Sequence, residues 1–239
     1  MQVFIPIWIV EALFAALFIV TGYPKGTKKG FVFKMLACAL YTANGLYAYS
    51  LSAKTVYGVT ILAGLACGWL GDVFLSLHPF TQENQSRKLT LSMNAIGGVF
   101  FLLGHAAFMT AFARLMLDAH AFRLLTFAIA FGGMLVCFAQ VFRLCKVSAG
   151  RFTAAIAVYA VGLAGMCALA INAALLVFSG RPVPQIILIA APLRFAFSDV
   201  TLALRVADSK RFESLPMRTV SLGAYFLAQM LLGLTVWLA

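Results

Sequence analysis

Charge is scarce in this chain, and negative charge scarcest: 10% of its 239 residues are charged, and 7 are Asp or Glu against 18 Lys or Arg. With 63% apolar residues and a mean hydropathy of +0.99, a soluble globular domain is excluded and an integral membrane protein is expected. Paired cysteines are also missing. Cys38, Cys67, Cys137, Cys145 and Cys167 lie mostly within apolar runs, with no CxxC pair and no His-rich partner. The usual zinc and dithiol signatures are therefore absent, and the five read as small packing residues. No GxSxG, HExxH or Walker A sequence occurs, so serine hydrolase, zinc hydrolase and ATPase chemistry lose their usual marks. We expect no metal and no cofactor. The first apolar run has no Lys or Arg before Lys25 and carries Glu11 in its middle, which does not fit a signal peptide. It is expected to be a retained helix.

What the chain has is apolar length. Runs long enough to cross a bilayer occur at about Val3 to Thr21, Phe31 to Leu51, Val56 to Leu77, Asn94 to Leu115, Phe122 to Phe142, Phe152 to Val177, Gln185 to Leu204 and Val220 to Leu238. The expected fold is all-α: a polytopic membrane bundle of eight transmembrane helices, forming one domain over residues 1–239. Loops such as GYPKGTKKG and SGRPVP carry turn chemistry and are too short to fold alone.

The formal net charge of +11 invites a nucleic-acid reading, but the basic residues fall mainly between apolar runs, where membrane topology places them. No nucleic-acid partner is expected. Connections after the first, third, fifth and seventh runs hold Lys25, Lys28, Lys29, Arg87, Lys88, Arg143, Lys146, Arg151, Lys210, Arg211 and Arg218, with Lys34 and Arg205 at their edges. The other connections hold only Lys54, Arg114, Arg123 and Arg181. The positive-inside rule then puts the first set in the cytoplasm and both termini outside, in a multi-pass protein of the cell (inner) membrane.

Against this background the acidic residues divide. Glu83, Asp118, Asp208 and Glu213 lie in loops or near helix ends, where a solvated charge needs no explanation. Glu11, Asp72 and Asp199 sit within apolar runs, and an ionisable residue there costs a few kcal/mol and is a functional candidate by default. Asp72 and Asp199 lie five and six residues from the cytoplasmic ends of their runs, about 8 to 9 Å deep at 1.5 Å per residue. Shared depth points to one site. Gly64, Gly68 and Asp72 follow at intervals of four on one helical stripe, and small residues at that spacing mark close packing, so Asp72 should face the bundle. Pro192, Ala196, Asp199 and Ala203 make the same argument for Asp199.

Other polar residues have two readings each. Glu11 and Arg194 fall at comparable depth and are expected to form an ion pair, structural or substrate-orienting. Lys34 either snorkels to the headgroups or, with Tyr41 and Asn44 on one stripe, meets a substrate phosphate. His105 lies about 16 Å from the cytoplasmic end and reads as a packing residue or a supporting group. Tyr159 and the stripe Ser221, Tyr225 and Gln229 are expected to bond neighbouring helices.

GDVFLSL at 71–77, FFLLGHAAF at 100–108, VYAVGLAGM at 158–166 and FAFSDVTLAL at 195–204 resemble, in order and spacing, the motifs of the YhhN-like lysoplasmalogenase family of eight-helix membrane proteins. The likeness spans nearly the whole chain. It implies hydrolysis of the vinyl ether bond of a lysoplasmalogen, an alkenyl glycerophosphoethanolamine or -choline, to a fatty aldehyde and a glycerophospho-base. By match, Asp72 and Asp199 would be catalytic, with Lys34, Asn44, His105, Tyr159 and Ser198 as substrate-binding or supporting residues. Ala191, Pro192 and Arg194 depart from the family, which has an apolar stretch opened by glycine there. The expected partners are a lysophospholipid or related amphiphile and the membrane lipid; the sequence sets no oligomeric state.

Two other classes use such charges. An intramembrane aspartyl protease wants GxGD, but Trp69 occupies the first glycine position and no Tyr-Asp partner occurs. A transporter, or a non-catalytic lipid-binding protein, would use Asp72, Asp199, Glu11 and Arg194 as ligands. The chain shows no internal repeat and no pair of broken helices of the kind many carriers have.

Overall fold

The computed structural model describes residues 4–23, 26–53, 55–82, 87–148, 150 and 153–239, with side chains left out at 78–82 and 87–91. Val3 and Phe152, read above as helix starts, and the loop residues Lys25, Lys54, Glu83 and Arg151 lie outside the described residues. Among the described residues nine helices follow one another: α1 Phe4–Thr21, α2 Lys28–Leu51, α3 Val56–Gln82, α4 Arg87–Asp118, α5 Leu124–Leu144, α6 Thr153–Val177, α7 Pro182–Ala207, α8 Ser209–Phe212 and α9 Leu215–Leu238. All but α8 are long and apolar enough to cross a membrane, and no strand occurs among the described residues. The chain is an integral, multi-pass membrane protein. Helices suit this solvent because each satisfies its own backbone hydrogen bonds where no water can.

Helix ends are set by caps rather than by the apolar runs. α2 starts three residues before the run because Thr27 caps it, its hydroxyl accepting the Gly30 N–H at 2.9 Å. α9 starts at Leu215 instead of Val220: Ser214 accepts the Met217 N–H, and Pro216 fits the first turn. α7 likewise begins at Pro182, after a turn in which Gly180 takes φ 81°, a conformation that favours glycine. Asp208 caps the single turn of α8 between these helices.

Six helices close a circuit, in which α2 packs on α3, α3 on α4, α4 on α6, α6 on α7, α7 on α9 and α9 back on α2. α9 also meets α1 and α3, so it is the hub. Its most apolar stretch is 67% buried against 6% for α5, which packs on the outside of α6. Close approach depends on small residues: a Cβ on Gly104 would stand 3.2 Å from the Gly64 carbonyl, so α3 and α4 nearly touch backbone to backbone. Where α2 crosses α9, a Cβ on Gly233 would stand 2.8 Å from Asn44 Nδ2 and 3.1 Å from the Gly45 backbone. At Gly223, on the same helix, a Cβ would meet nothing within 4 Å.

This contrast makes a prediction. Gly233→Ala should destabilise the detergent-solubilised protein by about 1–3 kcal/mol, the usual cost of overpacking, whereas Gly223→Ala should leave it unchanged or slightly firmer. Thermal unfolding of the two variants checks it, and equal melting temperatures would contradict the crossing described.

Candidate active site

Each helix of the circuit delivers one polar side chain to its interior: Lys34 from α2, Asp72 from α3, His105 from α4, Tyr159 from α6, Asp199 from α7 and Tyr225 from α9. Apolar positions hold the outer and packing faces of these helices, so the polar residue on each turns inward, away from lipid. Asp72 is 3% exposed and His105 1%. A Cβ on Gly68 would stand 2.8 Å from Gln229 Nε2, so glycine one turn before Asp72 lets α9 bring its polar stripe onto the carboxylate.

Asp72 is fully engaged. Lys34 Nζ lies 2.7 Å from its Oδ1, the Tyr225 hydroxyl donates to Oδ2 at 2.5 Å, and the Cys38 thiol approaches Oδ2 at 3.3 Å. Behind Tyr225, Gln229 Nε2 donates to the phenol oxygen at 2.9 Å, and the Tyr41 hydroxyl stands 3.5 Å from it. An ion pair removed from water holds only with good geometry and further hydrogen bonds, which this shell supplies. The Lys34 ammonium also lies over the Phe18 ring, 5.5 Å from its centroid.

Asp199 has a thinner shell. The Tyr159 hydroxyl donates to its Oδ2 at 2.7 Å. His105 Nε2 stands 3.7 Å from the same oxygen, beyond hydrogen-bond range. Among the described residues neither nitrogen of His105 has a hydrogen-bond partner. Its ring packs edge-on against Tyr159 and Phe195, with centroids at 5.1 and 5.0 Å. Phe195 continues to Tyr225 at 5.6 Å, so one aromatic side chain forms a wall shared by both carboxylates.

Several sequence expectations change. Counting from run ends put about 7 Å of depth between His105 and Asp199, yet they are neighbours, because helix ends do not share a plane: α7 continues to Ala207, past its apolar run. Glu11 and Arg194 do not pair. α1 packs on α2 and α9 while α7 packs on α6 and α9, and similar depth says nothing about direction around the bundle. Glu11 is buried, and its Oε1 has no hydrogen-bond partner among the described residues; Arg194 is exposed. Asn44, read as a substrate-binding or supporting residue, ties helices together: its amide donates to the Met230 carbonyl at 2.9 Å and its oxygen accepts from the Trp8 indole at 2.9 Å. Lys34 neither snorkels nor stands free for a phosphate, since Asp72 is the countercharge within reach. Ser198 is buried beside Asp199, and its carbonyl accepts the Thr201 and Ser221 hydroxyls.

One member of the Asp72 shell escaped the sequence reading, and a second was read without its partner. Cys38 was expected to be a packing residue, although Lys34, Cys38 and Tyr41 follow at helical spacing and share a face. Tyr225 bonds a neighbouring helix as expected, and the group it bonds is the Asp72 carboxylate. The signal in both cases was a stripe facing Asp72, which becomes visible once the neighbouring helices are known. Among the described residues no group of three His, Cys, Asp or Glu side chains could hold a metal ion.

The ion pair can be tested directly. Lys34→Met strands the Asp72 charge in the interior and should cost about 3–5 kcal/mol, whereas adding Asp72→Asn should restore much of that loss. Thermal unfolding of both variants reads the effect; a double variant no firmer than Lys34→Met alone would contradict the pairing.

The YhhN family model matches residues 29–236, which takes in all six helices of the circuit. No curated protein and no solved structure matches the chain.

Proposed function

From the premise that this chain belongs to the YhhN family, we propose that it is a membrane-embedded hydrolase of the lysoplasmalogenase type, cleaving the vinyl ether bond of an alkenyl lysophospholipid by paired-carboxylate acid and base catalysis. The observation that carries the reading is the convergence of six helices on two carboxylates, Asp72 buried and Asp199 with its side chain 9% exposed, joined through Tyr225, Phe195 and His105.

The chemistry asks for an acid, a negative charge and a base. A proton added to the β-carbon of the vinyl ether gives an oxocarbenium ion; water adds to form a hemiacetal; the hemiacetal collapses to a fatty aldehyde and the glycerophospho-base. One water is consumed and no electrons leave or enter. Asp199, with a phenol donor and, among the described residues, no Lys or Arg paired with it, is the group offered to deliver the proton. Asp72, whose charge Lys34 and Tyr225 hold in place, is the fixed negative charge that faces the cation. As the hemiacetal forms, the carboxylate left on Asp199 takes the proton of the attacking water, so acid and base are one group in successive steps. Tyr159 and His105 position that carboxyl, Tyr225 and Cys38 position the other, and Phe195 walls the space they share. The chain acts without a metal in this scheme, in the cell membrane, with both termini extracytoplasmic.

The phosphate role first given to Lys34 does not enter the proposal, because Asp72 occupies its ammonium. Carrier function is not favoured either: an ion site needs a ligand that can be released, and the Asp72 shell is tied on three sides by the protein itself.

Purified protein in detergent should release fatty aldehyde from an alkenyl lysophospholipid. Asp199→Asn, and Asp72→Asn made together with Lys34→Met so that no buried charge is left unpaired, should each reduce release by at least about a hundredfold, the scale of a lost acid or base, with monodisperse elution retained. Full activity in either variant would sink the proposal.

A further inference from the structure

Arg194 is an anomaly that the hydrolase does not use. It stands 12 residues from the start of α7 and 13 from its end, about 18 and 20 Å along the axis, so it lies at the middle of a membrane-spanning helix. It is nonetheless exposed, on the side of α7 away from Asp199, and no carboxylate pairs with it among the described residues. A lone cation facing hydrocarbon is among the costliest placements a membrane protein has, and it points to a partner from outside the chain.

The surroundings say what that partner is. Arg194 lines a groove of about 500 Å³ between α7 and α9, whose other walls include Leu193, Phe197 and Leu227. The floor is Gly223, where a Cβ would meet nothing within 4 Å. At one end the groove reaches Thr219, four residues or about 6 Å into α9, near the membrane surface on the Leu215 side. It thus runs from the interfacial end of α9 inward along apolar walls, with one cation and no carboxylate in its lining.

We propose that this groove is a binding site for a membrane phospholipid with an anionic headgroup, its phosphate seated toward the Thr219 end, where the Arg194 side chain extends along the groove to meet it, and its acyl chain laid along Leu193, Gly223 and Leu227. The charge pattern selects among occupants. A zwitterionic lipid would bring an ammonium group for which the groove has no acceptor charge. A second copy seated here about a two-fold axis would set Arg194 against its own counterpart, which like-charge repulsion opposes. An anionic phospholipid satisfies the guanidinium and fills the apolar walls together. This site is separate from the Asp72 and Asp199 centre and does not rest on the hydrolase reading.

Native mass spectrometry of the full chain in detergent, titrated with phosphatidylglycerol and with phosphatidylcholine of the same acyl chains, tests it. Wild type should bind phosphatidylglycerol about tenfold more tightly, the scale of one charge-assisted contact. Arg194→Gln should abolish that preference while leaving phosphatidylcholine unchanged, and Arg194→Lys should retain part of it. Gly223→Phe, which fills the groove, should weaken binding of both lipids. Variants are compared at matched melting temperature, so a folding defect in one leaves the others to decide. Undiminished preference in Arg194→Gln, or undiminished binding of both lipids in a folded Gly223→Phe, would overturn the site, and so would a wild type without preference. Competition by inorganic phosphate at equal concentration would overturn the lipid assignment.

Discussion

The bundle is built around one ion pair placed where water cannot reach it. Lys34 and Asp72 stand 2.7 Å apart with side chains 8% and 4% exposed. Neither charge would be tolerated there alone, so each fixes the other, and with them the packing of α2 on α3. A phenol from α9 and a thiol from α2 complete the carboxylate's shell. The consequence is positional: Asp72 has little freedom to move, and a charge that cannot relax is what stabilises a cation formed beside it.

Small residues let that arrangement exist. Gly64 and Gly104 bring α3 and α4 together, Gly45 and Gly233 bring α2 onto α9, and Gly68 leaves the space that Gln229 and Tyr225 occupy. The buried hub α9 then carries Tyr225 to Asp72, while Phe195 of α7 spans from Tyr225 to His105. Asp199 receives less support, one phenol and a histidine just out of range. Two carboxylates in one interior but in unequal shells are suited to unequal roles, and that asymmetry is the basis for assigning proton delivery to Asp199.

Much of this was legible in the sequence. Eight apolar runs became eight spanning helices because the bilayer demands length and self-satisfied backbone of any crossing segment. The Gly64, Gly68 and Asp72 stripe pointed to an inward carboxylate, and the structure buries Asp72. Direction around the bundle was not legible. Glu11 and Arg194 matched in depth and were paired on that ground, yet one is enclosed by α1, α2 and α9 and the other faces out beside α9. Hydropathy also hid Cys38, because a thiol counts as apolar until a carboxylate is found next to it. Helix ends at Lys28, Pro182 and Leu215 were set by Thr27, by the Gly180 turn and by Ser214, which an apolar run does not record.

The central claim is that a proton is delivered to carbon inside this bundle, and isotope labelling reads that step most directly. Turnover of an alkenyl lysophospholipid in deuterium oxide, with the aldehyde trapped at once by reduction, should place one deuterium on the carbon next to the former carbonyl. Aldehyde formed without that deuterium, or cleavage that leaves the alkenyl chain intact on its oxygen, would contradict carbon protonation and with it the paired-carboxylate account.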